Sequence, residues 1–398
     1  MSQKKRIVVT GMGALSSLGN SVDALWDGLL NGRSGIGRIT IFDPTEYRSQ
    51  IGGELKGFEV TRRVEKKKAS RLDPFCHYAL DASYQAIEDS GIDLEAIDLS
   101  RFGVFVGSGI GGITTLQSQI ERMKDMGPGK VSPFLIPMMI SDMAAGIVSM
   151  EFGAKGPNIG IVTACATGTH SIGEAYWAMV RGDADIMLAG GAEACIAPVG
   201  VAGFCSMKAL SERNDDPEHA SRPFDKDRDG FVIAEGAGVL LLETEEHAKA
   251  RGARILGEVL GYGSSADANH ITQPDPEGRG AAHAMKMAIG HAGIKPEQID
   301  YINAHGTSTP YNDKFETMAI KSVLGDAAYD VAVSSTKALT GHTLGAAGGI
   351  ESIVCLKAIN ESTIPGTWNY ETPDPDCDLN VLPNQTLKKE VSIAMNQN

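Results

Sequence analysis

Two hydrophobic signatures alternate along the chain. Short apolar or β-branched runs bounded by glycine and polar residues occupy residues 6–10, 102–106, 159–162, 186–189, 254–260 and 331–334. They are too short for helices and rich in Val and Ile, so they predict strands, with 159–162 buried. Longer stretches carry apolar residues three and four apart. After the 159–162 run, Ile172, Ala175, Tyr176 and Met179 fall on one helical stripe, which Gly182 and Asp183 end. A second helix is predicted over residues 73–90, with Ala79, Leu80, Ala86 and Ile87 on one face, and a third carries Ala346, Ile350, Ile353 and Val354. The order strand, small-residue turn, helix therefore occurs once around Cys165 and again after the 331–334 run. A strand also restarts at Arg254 much as one begins at Arg6. This echo predicts an α/β protein of two similar halves, residues 1–253 and 254–398.

Composition narrows the class. The chain has 398 residues, 42% of them hydrophobic, enough for one large core or two lobes sharing one. No apolar run reaches the roughly 18 residues that cross a bilayer, and the N-terminus lacks the apolar stretch of a secretory signal. A soluble, cytoplasmic protein is expected, with no membrane partner. The six cysteines are scattered without paired spacing, which points to a reducing compartment and offers no metal pattern. A formal net charge of −14 argues against nucleic-acid binding. Against that sign, Arg62-Arg63-Val64-Glu65-Lys66-Lys67-Lys68-Ala69-Ser70-Arg71 is strongly basic, either a solvated helix face or a docking patch.

Three glycine- or aspartate-rich stretches invite cofactor readings. Gly11-Met12-Gly13 has Ser16 in place of a third glycine, and a tight turn beside the active site is expected there. Gly107, Gly109 and Gly112 complete a dinucleotide pattern, yet no acidic residue ends a second strand about 20 residues on, so that reading is rejected. Asp225-Lys226-Asp227-Arg228-Asp229-Gly230 begins like a calcium loop, but its twelfth position is Gly236, with Glu235 one residue early.

The candidate chemistry centres on Cys165. It sits where a strand gives way to a helix, where unpaired N–H groups favour a thiolate, and Ala164, Ala166 and Gly168 leave room above the sulfur. Downstream lie Asn303-Ala304-His305-Gly306-Thr307-Ser308-Thr309 and Lys337-Ala338-Leu339-Thr340-Gly341-His342. These three motifs, in this order, resemble those of the β-ketoacyl-acyl-carrier-protein synthases, the condensing enzymes of fatty-acid synthesis. The Cys-His-His set is similar to types I and II, since type III enzymes carry Cys-His-Asn. Ser221-Arg222-Pro223-Phe224-Asp225 and Gly230-Phe231-Val232 favour the synthase II branch.

The resemblance implies a thiolase-like, five-layered αβαβα fold of two duplicated halves around two central helices, and a homodimer. It implies that Cys165 holds an acyl chain as a thioester, that a malonyl thioester on acyl carrier protein loses carbon dioxide, and that His305 and His342 donate N–H bonds to the enolate oxygen. Lys337 would steady the histidines or tune charge near the sulfur, with Asp313 and Glu316 as structural partners. His170 is assigned to packing. Thr307 and Thr309 would bind the pantetheine arm. Ile110 would gate the acyl pocket, Phe134 would lie near it, and Phe204 and Phe231 would line it. Lys67, Lys68 and Arg71, with Lys130 and Lys208, would receive the carrier protein. No cofactor or metal is implied, the substrates travelling on phosphopantetheine. In the family the last strand leads into a Gly-Phe-Gly-Gly-type loop that supplies a second oxyanion N–H; the sequence ends at Asn398, where that loop would begin. The rivals are a polyketide ketosynthase, told apart by Ala166-Thr167-Gly168 in place of a serine run, and a non-condensing chain-length partner, which would lack Cys165. A thiolase would need a second, glycine-flanked cysteine, whereas Cys377 follows Pro373-Asp374-Pro375-Asp376.

Overall fold

The computed structural model describes residues 5–398. Strands β1 (Ile7–Leu15), β2 (Phe102–Gly107), β3 (Ile186–Glu193), β4 (Gly236–Thr244) and β5 (Gly257–Glu258) form one sheet in the order β2-β3-β4-β1-β5. β2 and β3 are parallel, and β4 is antiparallel to both β3 and β1. A second, parallel sheet runs β8-β6-β7, from β6 (Tyr301–Asn303), β7 (Ala332–Ser334) and β8 (Ala394–Asn396).

The alternation of side chains along the strands decides what covers each face. In β4, Val239 and Leu241 join Phe75, Ala79 and Ala82 of α1 (Pro74–Ser90) in one core cluster. The intervening Leu240 and Leu242 join Ile172 and Met179 of α2 (Thr167–Arg181), Ile350 and Ile353 of α4 (Ala347–Glu361), and Tyr301 and Ala332 of the second sheet. The other face of that sheet, through Ile302 and Val333, packs on Ile320 of α3 (Pro310–Leu324) and on Met285 and Ile289 of the helix Arg279–Ala292. Helices α2 and α4 are thus buried between two sheets. They touch through glycine: a Cβ on Gly348 would stand 2.3 Å from the Thr169 backbone nitrogen, and one on Gly168 would stand 2.7 Å from that of Gly349. Both helices follow a 3₁₀ turn, Ala164–Ala166 and Leu344–Ala346, whose first residue is left-handed without being glycine, at φ 51° and 45°.

Three expected elements differ. Gly11 and Gly13 lie inside β1 and make no turn; a Cβ at either would meet a carbonyl oxygen of α1, from Ala86 or Ala82, at 2.0 or 1.9 Å, so glycine here permits close helix–sheet packing. Residues 159–162 are neither a strand nor buried. Asn158 bridges Val104 and the Ile159 N–H reaches the Val104 carbonyl at 3.3 Å, but pairing goes no further, and Ile159 and Val162 are 52% and 51% exposed. With a strand neighbour on one side only, this edge segment leaves Ile159 and Val162 uncovered by the described residues, while Ile161 packs on the core. The 254–260 strand shrinks to Gly257–Glu258 and pairs with β1, because beyond it Gly261 and Gly263 close onto the backbone of the helix Arg279–Ala292. Among the described residues no helix is long and apolar enough to cross a membrane.

Candidate active site

Cys165 occupies the 3₁₀ turn that opens α2, directly after the left-handed Ala164. A left-handed backbone at a non-glycine residue is a strained conformation, and here it turns the chain sharply before the helix. His342 Nε2 lies 3.0 Å from Cys165 Sγ. The Leu344 N–H donates to His342 Nδ1 at 3.3 Å, so in the neutral ring the proton sits on Nε2 and is donated to the sulfur. The His342 backbone is fixed on both sides, its N–H on the Val232 carbonyl at 2.7 Å and its own carbonyl accepting from Ala234 N at 3.0 Å.

His305 completes the cluster. Its ring stands edge-on to that of His342, with centroids 5.2 Å apart, and ligand-type atoms of Cys165, His305 and His342 all lie within 4.8 Å of one another. Glu316, on α3, accepts the N–H groups of His305 at 2.7 Å and Gly306 at 2.8 Å, which pins the backbone at the end of β6. His305 Nδ1 faces Asn398 Oδ1 at 3.3 Å, while the Asn398 amide NH₂ is committed to Glu351 and Asn396. That network assigns the proton to Nδ1 and leaves a lone pair on Nε2. The two imidazoles are therefore inequivalent, and the expected pair of N–H donors reduces to one: His342 presents an N–H, His305 an acceptor, because Asn398 Oδ1 accepts from the proton on His305 Nδ1.

Burial dominates the charges. It pushes the Cys165 thiol up to about 11, with Lys337 opposing and Glu193 adding to the rise. The resting site thus holds a thiol, not the thiolate expected from the helix N-terminus, because desolvation outweighs the partial charge of the helix end. Burial, and then the Lys337 charge, drive both His305 and His342 well below the ordinary imidazole range, so both are neutral. Lys337 is itself buried and ion-paired with Glu351 of α4, and its carbonyl accepts from Ser221 Oγ at 2.7 Å. One cysteine and two histidines this close could ligate a metal. The protonated thiol and the ammonium that acts on all three groups both disfavour a cation.

Comparison with known proteins agrees with this constellation. Two family models match in tandem, "Beta-ketoacyl synthase, N-terminal domain" over residues 4–248 and "Beta-ketoacyl synthase, C-terminal domain" over residues 256–371. The chain belongs to the β-ketoacyl synthase family. It is 52% identical to 3-oxoacyl-[acyl-carrier-protein] synthase 2 of Synechocystis sp. over 393 residues, 99% of this chain and 94% of that one. It is 50% identical to the protein of that name in Staphylococcus aureus over 395 residues, 99% and 95% of the two chains. Among solved structures, it superposes on a type II PKS ketosynthase in complex with its acyl-carrier protein with a TM-score of 0.92, at 36% identity and covering 99% and 96% of the chains. A β-ketoacyl synthase from Burkholderia phymatum gives a TM-score of 0.90 at 34% identity, covering 97% and 94%.

The other expected site residues fall in several places. Ile110, Phe204 and Cys165 all pack on the cluster that contains Phe231, and the Phe204 and Phe231 rings meet edge to face at 5.4 Å. Thr307 and Thr309 share a hydrogen bond of 2.9 Å between hydroxyls. Asp313 accepts the Phe224 N–H at 2.8 Å and faces Arg228 at 3.7 Å, one step behind the site. His170 meets the Tyr262 ring edge-on at 6.0 Å. Phe134 does not join the Phe231 cluster: its ring, 36% exposed, lies under the Arg71 guanidinium, 4.7 Å from the centroid, in a cation–π contact at the surface. Arg71 is thus partly engaged, and Lys68 is ion-paired with Glu151, while Lys67, Lys130 and Lys208 are exposed. A cavity of about 710 Å³ is lined by β8 and touches His305, His170 and residues 258–265. None of Ile110, Phe134, Phe204 and Phe231 lines it.

Sequence reasoning gave no role to Glu351, Glu193 or Asn398. Glu351 had a signal, being the one charge in the otherwise apolar and small first turns of α4. Glu193 had a fainter one, as the acidic end of an otherwise apolar and glycine strand. Asn398 had none.

Proposed function

We propose that the chain is a synthase II type condensing enzyme of fatty-acid elongation. An acyl group passes from acyl carrier protein to Cys165, then condenses with malonyl carrier protein to give 3-oxoacyl carrier protein two carbons longer. The observation that carries this reading is the 3.0 Å contact of His342 Nε2 with Cys165 Sγ, with His305 close by and presenting a free lone pair.

The thiol is protonated at rest, so attack on the acyl thioester requires its proton to leave as the carbon–sulfur bond forms. His305, whose ring lies in the same cluster within 4.8 Å of its partners, offers Nε2 as the neutral acceptor and returns the proton to the departing pantetheine sulfur. In the second stage the C–C bond of the malonyl group breaks to release carbon dioxide, and charge develops on the thioester oxygen. The Nε2–H of His342 is preorganised to stabilise that charge. The carbanion attacks the Cys165 thioester, the C–S bond breaks, and the sulfur takes up one proton. Both acyl groups arrive on phosphopantetheine, so no cofactor is required.

The same reading extends to the whole molecule. The matching turns at Ala164–Ala166 and Leu344–Ala346 and the pairing of α2 with α4 support a thiolase-like, five-layered αβαβα fold of duplicated halves, divided near residue 253. The apolar edge at Ile159 and Val162 supports a homodimer, with each copy covering the other's edge. The exposed Lys67 and its neighbours support docking of an acidic carrier protein. Higher identity to 3-oxoacyl synthases than to the PKS ketosynthase favours fatty-acid over polyketide substrates.

The test is product formation from acyl and malonyl carrier protein. Cys165→Ala is expected to stop elongation, and His342→Ala to leave Cys165 acylation measurable while cutting condensation by about 10²–10³, the usual cost of a lost oxyanion donor. Elongation by Cys165→Ala would overturn the reading.

A further inference from the structure

Glu193 ends β3 in a fully buried position that the chemistry above does not use. Its carboxylate collects four hydrogen bonds from two separate loops. Ser108 Oγ donates to Oε1 at 2.7 Å and the Ile110 N–H at 3.2 Å; the Gly109 N–H donates to Oε2 at 2.8 Å and the Gly345 N–H at 3.0 Å. Ser108 in turn accepts the Gly111 N–H at 2.9 Å. Three of the four partners are backbone N–H groups that can only donate, and the fourth spends its hydroxyl proton on the carboxylate. A protonated carboxyl could find an acceptor only in the Ser108 hydroxyl and would lose that donor, so the four donors suit the ionised form. Burial pulls the other way, raising the affinity of Glu193 for a proton while these four bonds lower it.

The two loops are functionally distinct. One carries Ile110, which packs on the Phe231 cluster with Cys165. The other holds Gly345, one residue beyond Leu344, whose N–H sets the tautomer of His342. There is no slack between them: a Cβ on Gly345 would stand 2.5 Å from Gly109 N.

We propose that Glu193 is a positioning residue that locks the Ile110 loop to the His342 loop, so that admission of an acyl chain past Ile110 and the setting of His342 are coupled through one carboxylate. This rests on the acyl-transfer reading of the site. An acyl chain that shifts the backbone of the Ile110 loop loosens its bonds to Glu193, and the carboxylate then holds Gly345 less firmly.

The experiment uses the full chain and the isosteric Glu193→Gln, in which an NH₂ must face at least one of the N–H groups. Long and short acyl carrier-protein donors are compared, and decarboxylation of malonyl carrier protein alone is followed separately. Glu193→Gln is expected to raise the long-to-short ratio of kcat/KM by about tenfold and to slow decarboxylation by about tenfold, the scale of losing charge-assisted hydrogen bonds. Amide exchange at Gly109, Ile110 and Gly345 should accelerate together. Ser108→Ala should shift the chain-length ratio in the same direction by a few-fold. A lower Tm with an unchanged ratio would make Glu193 merely structural and overturn the proposal. If Glu193→Gln does not fold, an unchanged ratio in Ser108→Ala overturns it instead. If the wild type neither acylates nor decarboxylates, the functional reading fails, while joint exchange of the two loops still supports the lock and exchange at one loop alone sinks it.

Discussion

At the scale of single residues, the site is governed by desolvation. A thiol pushed up to about 11 gives a sharp expectation. Thiolate is the fraction that reacts with an alkylating agent, and below its pKa that fraction grows about tenfold per pH unit. Alkylation of Cys165 by iodoacetamide should therefore climb without a plateau to well above pH 9; levelling near an ordinary thiol value of about 8.5 would contradict the assignment. Lys337 belongs to the same balance. Lys337→Ala leaves Glu351 buried without its partner, which typically costs about 3–5 kcal/mol. Lys337→Met combined with Glu351→Leu should recover much of that stability in urea melts while activity stays low. Equal stability of the single and double variants would mean that the pair is not coupled.

At the scale of elements, close packing of backbone on backbone decides which glycines are replaceable. Gly348→Ala at the crossing of α2 and α4 should cost about 1–3 kcal/mol or more, as overpacked sites do. Gly290, within the helix Arg279–Ala292, has open space where a Cβ would go, and Gly290→Ala should stabilise by up to about 1 kcal/mol. Urea midpoints that move the same way for both would contradict this account. The same distinction explains what could be read from sequence. Cys165, His305 and His342 were legible because each sits in a short motif of small residues, and α1, α2 and α4 because their apolar spacing and caps are local. Gly11 and Gly13 were misread as a turn, since only the approach of α1 explains them. The 159–162 run reads as buried from its apolar character, whereas Ile159 and Val162 lie at an edge that no described residue covers. Glu193 escaped notice because its partners arrive from loops far away in sequence, and Glu351 because its partner Lys337 stands on a separate short helix whose packing against α4 no local pattern announces.

At the scale of the whole molecule, charge and surface determine partners. A chain of net charge −14 can receive an acidic carrier only through a local basic patch. Lys67→Glu with Lys68→Glu should raise KM for carrier-bound substrate and leave reaction with acyl-CoA little changed. Because Lys68 is tied to Glu151, Lys67→Glu alone should give most of the effect. Equal loss on both substrates would remove the patch from the account. The central claim, that Cys165 carries the growing chain, is tested most directly by intact mass. After incubation with acyl carrier protein, the chain should gain one acyl group, mapped to Cys165, and malonyl carrier protein should then discharge it as the 3-oxoacyl product. No adduct on the folded chain, or an adduct on any residue other than Cys165, would contradict it.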